Sequence, residues 1–410
     1  MKFGVVFSVP FVAALVFSGA FYEQLLIGSR TDTSYLMKIL NSLVYLPLYF
    51  FAIYMSVRSN LLYYAKSKFY FPLFAFCILA ITSCLWALDP VKSFIDSTQL
   101  FCTVLLSLAI VTRHDSKYTS DALTNALFLF LICSLLYIFY VPSLGLMNRI
   151  EYSNLLGAPQ GIFTHKNRLS EIASLAICLC VSGVINRGLF FKALLFFISC
   201  YVLILGGSAA KLIGLACAIL LLATYSVNRT NNSKFLWAFS IVMVIMLAYI
   251  LLPSYDAYLL SSLGKNESLT GRLPLWEFSI QVFTESPILG FGAGSIWDND
   301  LINMGYNAFY KPPHSHNLYI ETLLKFGIVG LFVLLVCIYK KISLLVQPSI
   351  SISQPYFRLY FLILISLLVR SPFEYILFRD NQISFLLLLI TYGYVLKESY
   401  PIRTKNKFLK

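Results

Sequence analysis

The chain has 410 residues, of which 59% are hydrophobic and only 12% are charged, and its formal net charge is +13. A mean hydropathy of +0.78 excludes an ordinary soluble globular domain and is typical of a polytopic membrane protein. The positive charge lies mainly in short loops between apolar segments. It therefore indicates membrane topology and argues against a soluble nucleic-acid-binding domain.

Apolar segments follow one another along most of the chain. Each approaches the length that crosses a hydrocarbon layer of about 30 Å, and their Leu-, Phe- and Ile-rich runs lack the alternation of barrel strands. The sequence predicts an all-α polytopic membrane bundle of about twelve transmembrane helices. The predicted spans are 4–22, 36–57, 69–87, 98–112, 122–142, 169–186, 190–207, 211–227, 235–253, 318–339, 356–376 and 381–396.

These spans divide the chain into three parts. Residues 1–253 hold the first nine transmembrane helices, 254–317 form one large periplasmic loop with short amphipathic helices, and 318–410 hold the last three helices and a basic cytoplasmic tail. The first span follows Lys2 and is predicted to be a signal anchor, because many further spans come after it. The nine cysteines all lie within spans and are predicted to be apolar packing residues.

Basic residues are unevenly divided between the two sets of loops. One side carries 18 of the 31 Lys and Arg residues, so the positive-inside rule makes it cytoplasmic, with both termini inside. The other side carries a smaller basic group that membrane insertion does not require, several of its members near span ends. Together they predict an anionic ligand at the outer face. This group is Arg149, Lys166, Arg168, Lys211, Lys265, Arg272, Lys311, Arg370 and Arg379.

The middle of the outer loop, "SLTGRLPLWEFSIQVF", predicts a short amphipathic helix. Turn residues precede it, Pro274 is tolerated in a first helical turn, and apolar side chains lie near Trp276. Those side chains are Leu275, Phe278, Ile280 and Val282.

The next stretch, "SPILGFGAGSIW", is predicted to be a turn. Its three alternate glycines resemble a nucleotide-binding loop, but the strand that precedes such loops is missing.

Two of the four histidines, His314 and His316, lie in "KPPHSHNLYIETLLKFGIVG", immediately before an apolar run. A neutral imidazole can take a proton from an attacking hydroxyl, and arginine can bind phosphate oxygens with paired donors. Together with "GIFTHKNRLS" at 161–170, these groups would permit acid–base chemistry beside a phosphate-bearing leaving group.

Two other interpretations of the histidines stay open. They could be interfacial residues that cap the following helix. They could also bind zinc with His165 and Asp298 or Asp300, although the loop has no Cys ligand and no His-Glu-x-x-His pattern.

A resemblance to a known family rests on four signals in a fixed order: many spans, Thr270-Gly271-Arg272 followed by Trp276, "SPILGFGAGS", and "HSHNLYIETLLKFGIVG". This order resembles the O-antigen ligase and polymerase superfamily of bacterial envelope glycan enzymes, best over residues 160–330. The resemblance implies transfer of a glycan from undecaprenyl diphosphate to a sugar hydroxyl, at the periplasmic side of the inner membrane. It implies no metal, nucleotide or other cofactor.

The resemblance also implies partners and residue roles. The partners are a lipid-linked glycan donor, a glycan or lipid A-core acceptor, membrane lipids and a chain-length regulator, with no nucleic acid. His316 is the implied base, with His314 as its rival, and Arg272 would hold the departing diphosphate. Lys166, Arg168 and Lys211 would complete the anion clamp, although many relatives have arginine where Lys211 stands. The implied supporting residues are Asn317, Asn167, His165 and Glu321.

Three functions remain in competition. "GIFTHKNRLS" is similar to a His-Lys-Asn stretch of exopolysaccharide polymerases, which favours a polymerase over an O-antigen ligase. A transporter or lipid flippase is the third candidate. It is disfavoured because the ionisable residues lie toward span ends and no inverted repeat is visible.

Overall fold

The computed structural model describes residues 8–21, 35–58, 67–147, 156–227, 272–294, 296–297, 314–347, 350–378 and 382–399. Within these ranges the ordered elements are helices, and an isolated β-bridge joins Leu146 to Pro159. This confirms the all-α class for the part of the chain that is described.

The helices are numbered along the described chain. They are α1 Val9–Ser18, α2 Tyr35–Arg58, α3 Phe71–Thr82, α4 Pro90–Arg113, α5 Ser116–Tyr140, α6 Pro142–Gly145, α7 Lys166–Ser182, α8 Leu189–Leu205, α9 Ala209–Val227, α10 Arg272–Phe283, α11 Leu318–Leu345, α12 Pro355–Arg370 and α13 Ile383–Ser399. A short 3-10 helix, Ser83–Leu85, follows α3.

Each predicted span overlaps a helix, except 235–253, which lies outside the described residues; the span 356–376 is longer than its helix, which ends at Arg370. Three helices, α4, α5 and α11, are long and apolar enough to cross a membrane by length and composition. Shorter apolar helices accompany them in the described ranges. The total of twelve spans stays a prediction.

Helix α12 lies at the centre of the bundle, where it packs against α7, α9 and α13. Its residues are buried almost throughout, and Arg370 at its last position is 1% exposed. Because Arg370 is the last residue of a central helix, its charge lies in the interior at one end of the bundle. Such a residue requires partners, because burying an unpaired charge is costly.

Helix α11 is broken at Gly327, where the backbone φ is 62°. The glycine-rich segment 284–294 fills the break: the N–H groups of Phe291 and Gly292 donate to the carbonyl oxygens of Leu324 and Lys325, both at 2.9 Å. These bonds satisfy carbonyl groups that the break removes from the helical ladder. The described residues of "SPILGFGAGSIW", 286–294 and 296–297, confirm the predicted turn. This segment also forms hydrogen bonds to α11 at its break.

Close backbone contact explains two glycines at this junction. A Cβ on Gly327 would lie 2.2 Å from the carbonyl oxygen of Ile288, and one on Gly290 would lie 2.5 Å from the carbonyl carbon of Lys325. Both positions also have positive φ, which side chains other than glycine rarely adopt.

Helix α10 forms where the outer-loop sequence predicts one, with Pro274 in its first turn. Leu275, Phe278 and Val282 pack toward Leu324 of α11, whereas Ile280 is 50% exposed. The packed residues are spaced three and four apart and share one helical face. Ile280 falls on the opposite side, so its predicted place on the apolar face is wrong.

Candidate functional site

One end of the bundle contains a cavity of about 350 Å³ where the ends of several helices meet. Its polar lining comes from α7, α9, α10, α12, α13 and the segments beside them. These lining residues are Ser18 at the end of α1, His165, Asn167, Arg168, Glu171, Lys211, Arg272, His314, His316, Arg370, Glu374, Tyr375 and Gln382.

The segment that carries two of the histidines is fixed through the backbone of Ser315, which is 0% exposed. Its N–H donates to Oε2 of Glu321 at 2.8 Å, and its carbonyl oxygen accepts from the Trp276 indole at 2.9 Å. Its hydroxyl donates to the carbonyl of Asn317 at 3.0 Å. We call Ser315, Glu321 and Trp276 the Ser315 clamp.

The carboxylate of Glu321 is fully buried but well satisfied. Besides the Ser315 N–H, it accepts from the indole of Trp297 at 3.1 Å and lies 3.3 Å from the ammonium of Lys325. Asn317 caps α11, its side-chain oxygen accepting from two backbone N–H groups in the first turn. Glu321 and Asn317 therefore support the histidine segment from behind the cavity wall.

His314 and His316 lie side by side, with ring centroids 4.2 Å apart. The backbone N–H of His316 donates to Nδ1 of His314 at 3.1 Å. His316 has a φ of 55°, a conformation that is uncommon outside glycine and that persists only where its surroundings enforce it. The Ser315 clamp, on the residue immediately before, supplies that constraint.

The start of α7 brings three of the predicted residues to the cavity. His165 caps the helix, its Nδ1 accepting from the backbone N–H of Asn167 at 3.1 Å. Arg168 donates to the carbonyl of Ser18, at the end of α1, at 3.3 Å. Lys166, the first residue of α7, is outside the cavity lining.

Three buried charges, Glu171, Lys211 and Arg370, form a cluster with the partly buried Glu374 in the cavity wall, which we call the Arg370 cluster. Arg370 donates to Glu374 through Nη2 at 2.6 Å and Nε at 3.0 Å, and to Glu171 through Nη1 at 3.2 Å and also through Nη2. Lys211 forms an ion pair with Glu374. Glu374 lies in the turn after α12, where it accepts hydrogen bonds from Arg370 and pairs with Lys211.

Trp276 joins three parts of the site. It lies one turn after Arg272 on α10, its indole bonds to Ser315, and its ring centroid is 6.4 Å from that of Phe373, beside Glu374. The position of Arg272 is thereby tied to the histidine segment and to the turn that follows α12.

The structure gathers most of the residues that the sequence nominated. His165, Asn167, Arg168, Lys211, Arg272, His314 and His316 line one cavity, and Asn317 and Glu321 lie behind it. The sequence placed Arg370 in the outer basic group but gave it no specific role, and it did not assign Glu171 and Glu374 to the site. Charged residues near the ends of apolar spans could have indicated them, but the sequence does not show which of these charges lie close together in the fold.

The zinc interpretation needed Asp298 or Asp300, and both lie outside the described residues. Within the part of the chain that is described, no three His, Cys, Asp or Glu residues are grouped as metal ligands would be.

Apolar helices around a cationic, histidine-bearing cavity define an integral membrane protein with a polar site at one end of its bundle. Residues 194–335, which include Lys211, Arg272, His314 and His316, match the family described as O-antigen ligase. This match and the relatives below support membership of the O-antigen ligase superfamily.

Individual relatives agree with this membership. The chain is 26% identical over 283 residues to the exopolysaccharide production protein ExoQ of Rhizobium meliloti, covering 65% of this chain and 62% of ExoQ. It is 25% identical over 282 residues to a protein of Rickettsia typhi named "Putative polysaccharide ligase", and 27% over 277 residues to one of Rickettsia prowazekii with the same name. Both alignments cover 65% of this chain and 65% of the relative, so the matches span just under two thirds of these proteins.

Proposed function

We propose that this protein transfers a glycan from undecaprenyl diphosphate to a sugar hydroxyl at the periplasmic face of the bacterial inner membrane, acting as an O-antigen or exopolysaccharide polymerase. In this proposal both termini are cytoplasmic, and the 254–317 segment is periplasmic. The observation that carries it is the single cavity that holds two adjacent histidines beside Arg272, Lys211 and Arg168.

The charge of the cavity supports an anionic leaving group. Its described lining contains four cationic side chains, Arg168, Lys211, Arg272 and Arg370, against the carboxylates of Glu171 and Glu374. The N-terminus of α7, where Asn167 and Arg168 line the cavity, adds the positive end of a helix dipole. A diphosphate diester, with a negative charge on each phosphate, fits this excess of positive charge.

We assign binding of the diphosphate to Arg272, Lys211 and Arg168, three of the four residues nominated for it from the sequence. Arg272 can present two parallel N–H donors to phosphate oxygens, whereas Lys211 acts as a point charge. Arg168 completes the set. Lys166 has no place in the cavity lining, so we leave it out of the clamp.

In the proposed reaction, His316 takes the proton from the acceptor hydroxyl as its oxygen attacks the anomeric carbon of the donor sugar. The bond from that carbon to the diphosphate oxygen breaks, and its electron pair leaves with the diphosphate. Cleavage of the sugar–diphosphate bond drives the step. The protein therefore needs only to orient the acceptor and to stabilise the departing charge.

The alternative is an O-antigen ligase that attaches the finished chain to the lipid A-core. The similarity to ExoQ and the sequence "GIFTHKNRLS" favour the polymerase, whereas the family description and the rickettsial names favour the ligase. A lipid or polysaccharide flippase is the third candidate.

Deletion of the gene, followed by gel analysis of lipopolysaccharide and secreted polysaccharide, separates these functions. Core with a single repeat indicates an O-antigen polymerase. Bare core with long carrier-linked chains indicates a ligase. Unchanged lipopolysaccharide with missing secreted polysaccharide indicates an exopolysaccharide polymerase. Carrier-linked repeats trapped on the cytoplasmic side would contradict the proposal and indicate a flippase.

The proposal requires no metal. Purified protein in liposomes should transfer glycan at an unchanged rate when EDTA is added, because arginine, lysine and histidine supply the charge and the base. Loss of turnover with EDTA, restored by zinc, would return the histidines to the role of metal ligands.

A further inference from the structure

The rings of His314 and His165 are hydrogen-bonded in the same way. Nδ1 of His314 accepts from the backbone N–H of His316, and Nδ1 of His165 accepts from the backbone N–H of Asn167, both at 3.1 Å. A ring nitrogen that accepts a hydrogen bond carries no proton, so a neutral ring in this arrangement has its proton on Nε2. Each of these histidines is therefore a hydrogen-bond donor at Nε2.

This arrangement separates the two adjacent histidines by role. To act as a base, neutral His314 would have to accept a proton at Nδ1, where an N–H would then face the N–H of His316. The peptide N–H of His316 cannot easily rotate away from the His314 ring. The N–H of Ser315, between the two histidines, is bonded to Glu321, and its carbonyl oxygen is bonded to Trp276. This hydrogen bond therefore opposes proton uptake at Nδ1 of His314 and favours the tautomer with its proton at Nε2.

We infer that His314 binds the anionic diphosphate as a neutral Nε2–H donor and leaves proton abstraction to His316. This inference rests on the proposed function above. His314 lines the cavity together with Arg272 and Lys211, and its side chain is 9% exposed, so a bond formed there is shielded from water. As the bond between the sugar and the diphosphate breaks, charge grows on the departing oxygen, so an N–H donor within hydrogen-bond reach of that oxygen would bind more strongly.

Three substitutions at one position test this role. In His314→Gln the amide nitrogen approximates Nε2 and keeps a donor toward the cavity. In His314→Asn the amide oxygen approximates Nδ1 and keeps the acceptor for the His316 N–H. His314→Ala keeps neither. His316→Gln, which cannot take up a proton, is the matched comparison on the neighbouring residue.

Transfer from undecaprenyl-diphosphate-linked oligosaccharide should be measured with each purified variant in liposomes. We expect kcat/KM of His314→Gln to stay within about tenfold of the wild type, and that of His314→Asn and His314→Ala to fall about 100-fold, as for a lost hydrogen bond to a charged group. His316→Gln should be inactive. The pH profile of His314→Gln should keep the limb that reports the base.

Competition by inorganic pyrophosphate supplies a second measurement. Its inhibition constant should rise about tenfold or more in His314→Ala and remain near the wild-type value in His314→Gln. The inference is overturned if Asn outperforms Gln, which would make His314 only a support for the His316 backbone. It is equally overturned if all three variants are as inactive as His316→Gln, or if all three are as active as the wild type.

The same assays distinguish failure of the inference from failure of the proposed function. A wild-type protein that transfers no glycan from this donor, but whose pyrophosphate binding still separates Gln from Ala, would refute the transferase proposal and keep His314 as an anion donor.

Discussion

The Ser315 clamp and the Arg370 cluster hold the same cavity by different means. The clamp fixes a backbone with directional hydrogen bonds from an indole and a carboxylate. The cluster joins side-chain charges, with Arg370 and Lys211 set against Glu171 and Glu374. The clamp therefore determines where two rings point, whereas the cluster determines how much charge the wall carries.

The difference matches what each part must do. A base must lie within hydrogen-bond reach of the proton that it takes, so small errors in orientation reduce the rate. A buried ion cluster must above all be complete, because removal of one member leaves an uncompensated charge. Damage to the clamp should appear in the kinetics, and damage to the cluster should appear in stability.

The largest expected effect on glycan transfer comes from His316, which the Ser315 clamp orients. His316→Ala should reduce glycan transfer by about 10²- to 10⁴-fold, the usual contribution of a general base, with unchanged protein abundance in membranes. His114→Ala, in the turn between α4 and α5, removes a histidine away from the cavity and should leave transfer intact. Near-normal turnover of His316→Ala would refute the base assignment.

Substitutions in the Arg370 cluster should lower the free energy of unfolding. Arg370→Leu leaves Glu171 and Glu374 without their shared partner, and the loss of stability should be about 3 to 5 kcal/mol. Thermal unfolding in detergent measures it, and Arg58→Leu, at the exposed end of α2, is the control. Adding Glu171→Gln to Arg370→Leu should recover part of the stability. An unchanged Tm in Arg370→Leu would show that the cluster contributes little.

Arg272 tests whether geometry or charge governs the anion clamp. Arg272→Lys should lower kcat/KM almost as far as Arg272→Ala, by about 10- to 100-fold, because lysine cannot form two parallel bonds to phosphate. Full activity with lysine would mean that simple charge attraction suffices. Lys340→Arg, at the other end of α11, is a conservative control for the exchange itself.

The smallest expected effect on the rate comes from loss of one hydrogen bond of the Ser315 clamp, from the Trp276 indole to the Ser315 carbonyl. Trp276→Phe keeps an aromatic ring near Phe373 but loses the bond to the Ser315 carbonyl, so kcat should fall about tenfold, with little change in KM. The matched control is Trp86→Phe, which removes an indole bond to the carbonyl of Leu289, outside the cavity lining. Equal losses in both variants would show a general packing effect.

Local pattern predicted the helices well and the site only in part. Helices occupy the apolar segments wherever the chain is described, and α10 forms with Pro274 in its first turn. The apolar face of α10 was misassigned at Ile280, because that face depends on which neighbour the helix meets. The predicted histidines, Arg272 and Lys211 share a cavity, but the carboxylates of Glu171 and Glu374 that pair with Arg370 and Lys211 were not assigned.

The sequence by itself determined the apolar helices, the family-like motifs and the residue types available for acid–base and anion chemistry. These are local properties, since a helix satisfies its own backbone and a motif is contiguous. Only the tertiary structure decided that Arg370 meets Glu171 across 199 positions, and that Lys211 meets Glu374 across 163. It also decided that Trp276 holds Ser315. Such contacts depend on how helices pack, and no short stretch of sequence encodes that geometry.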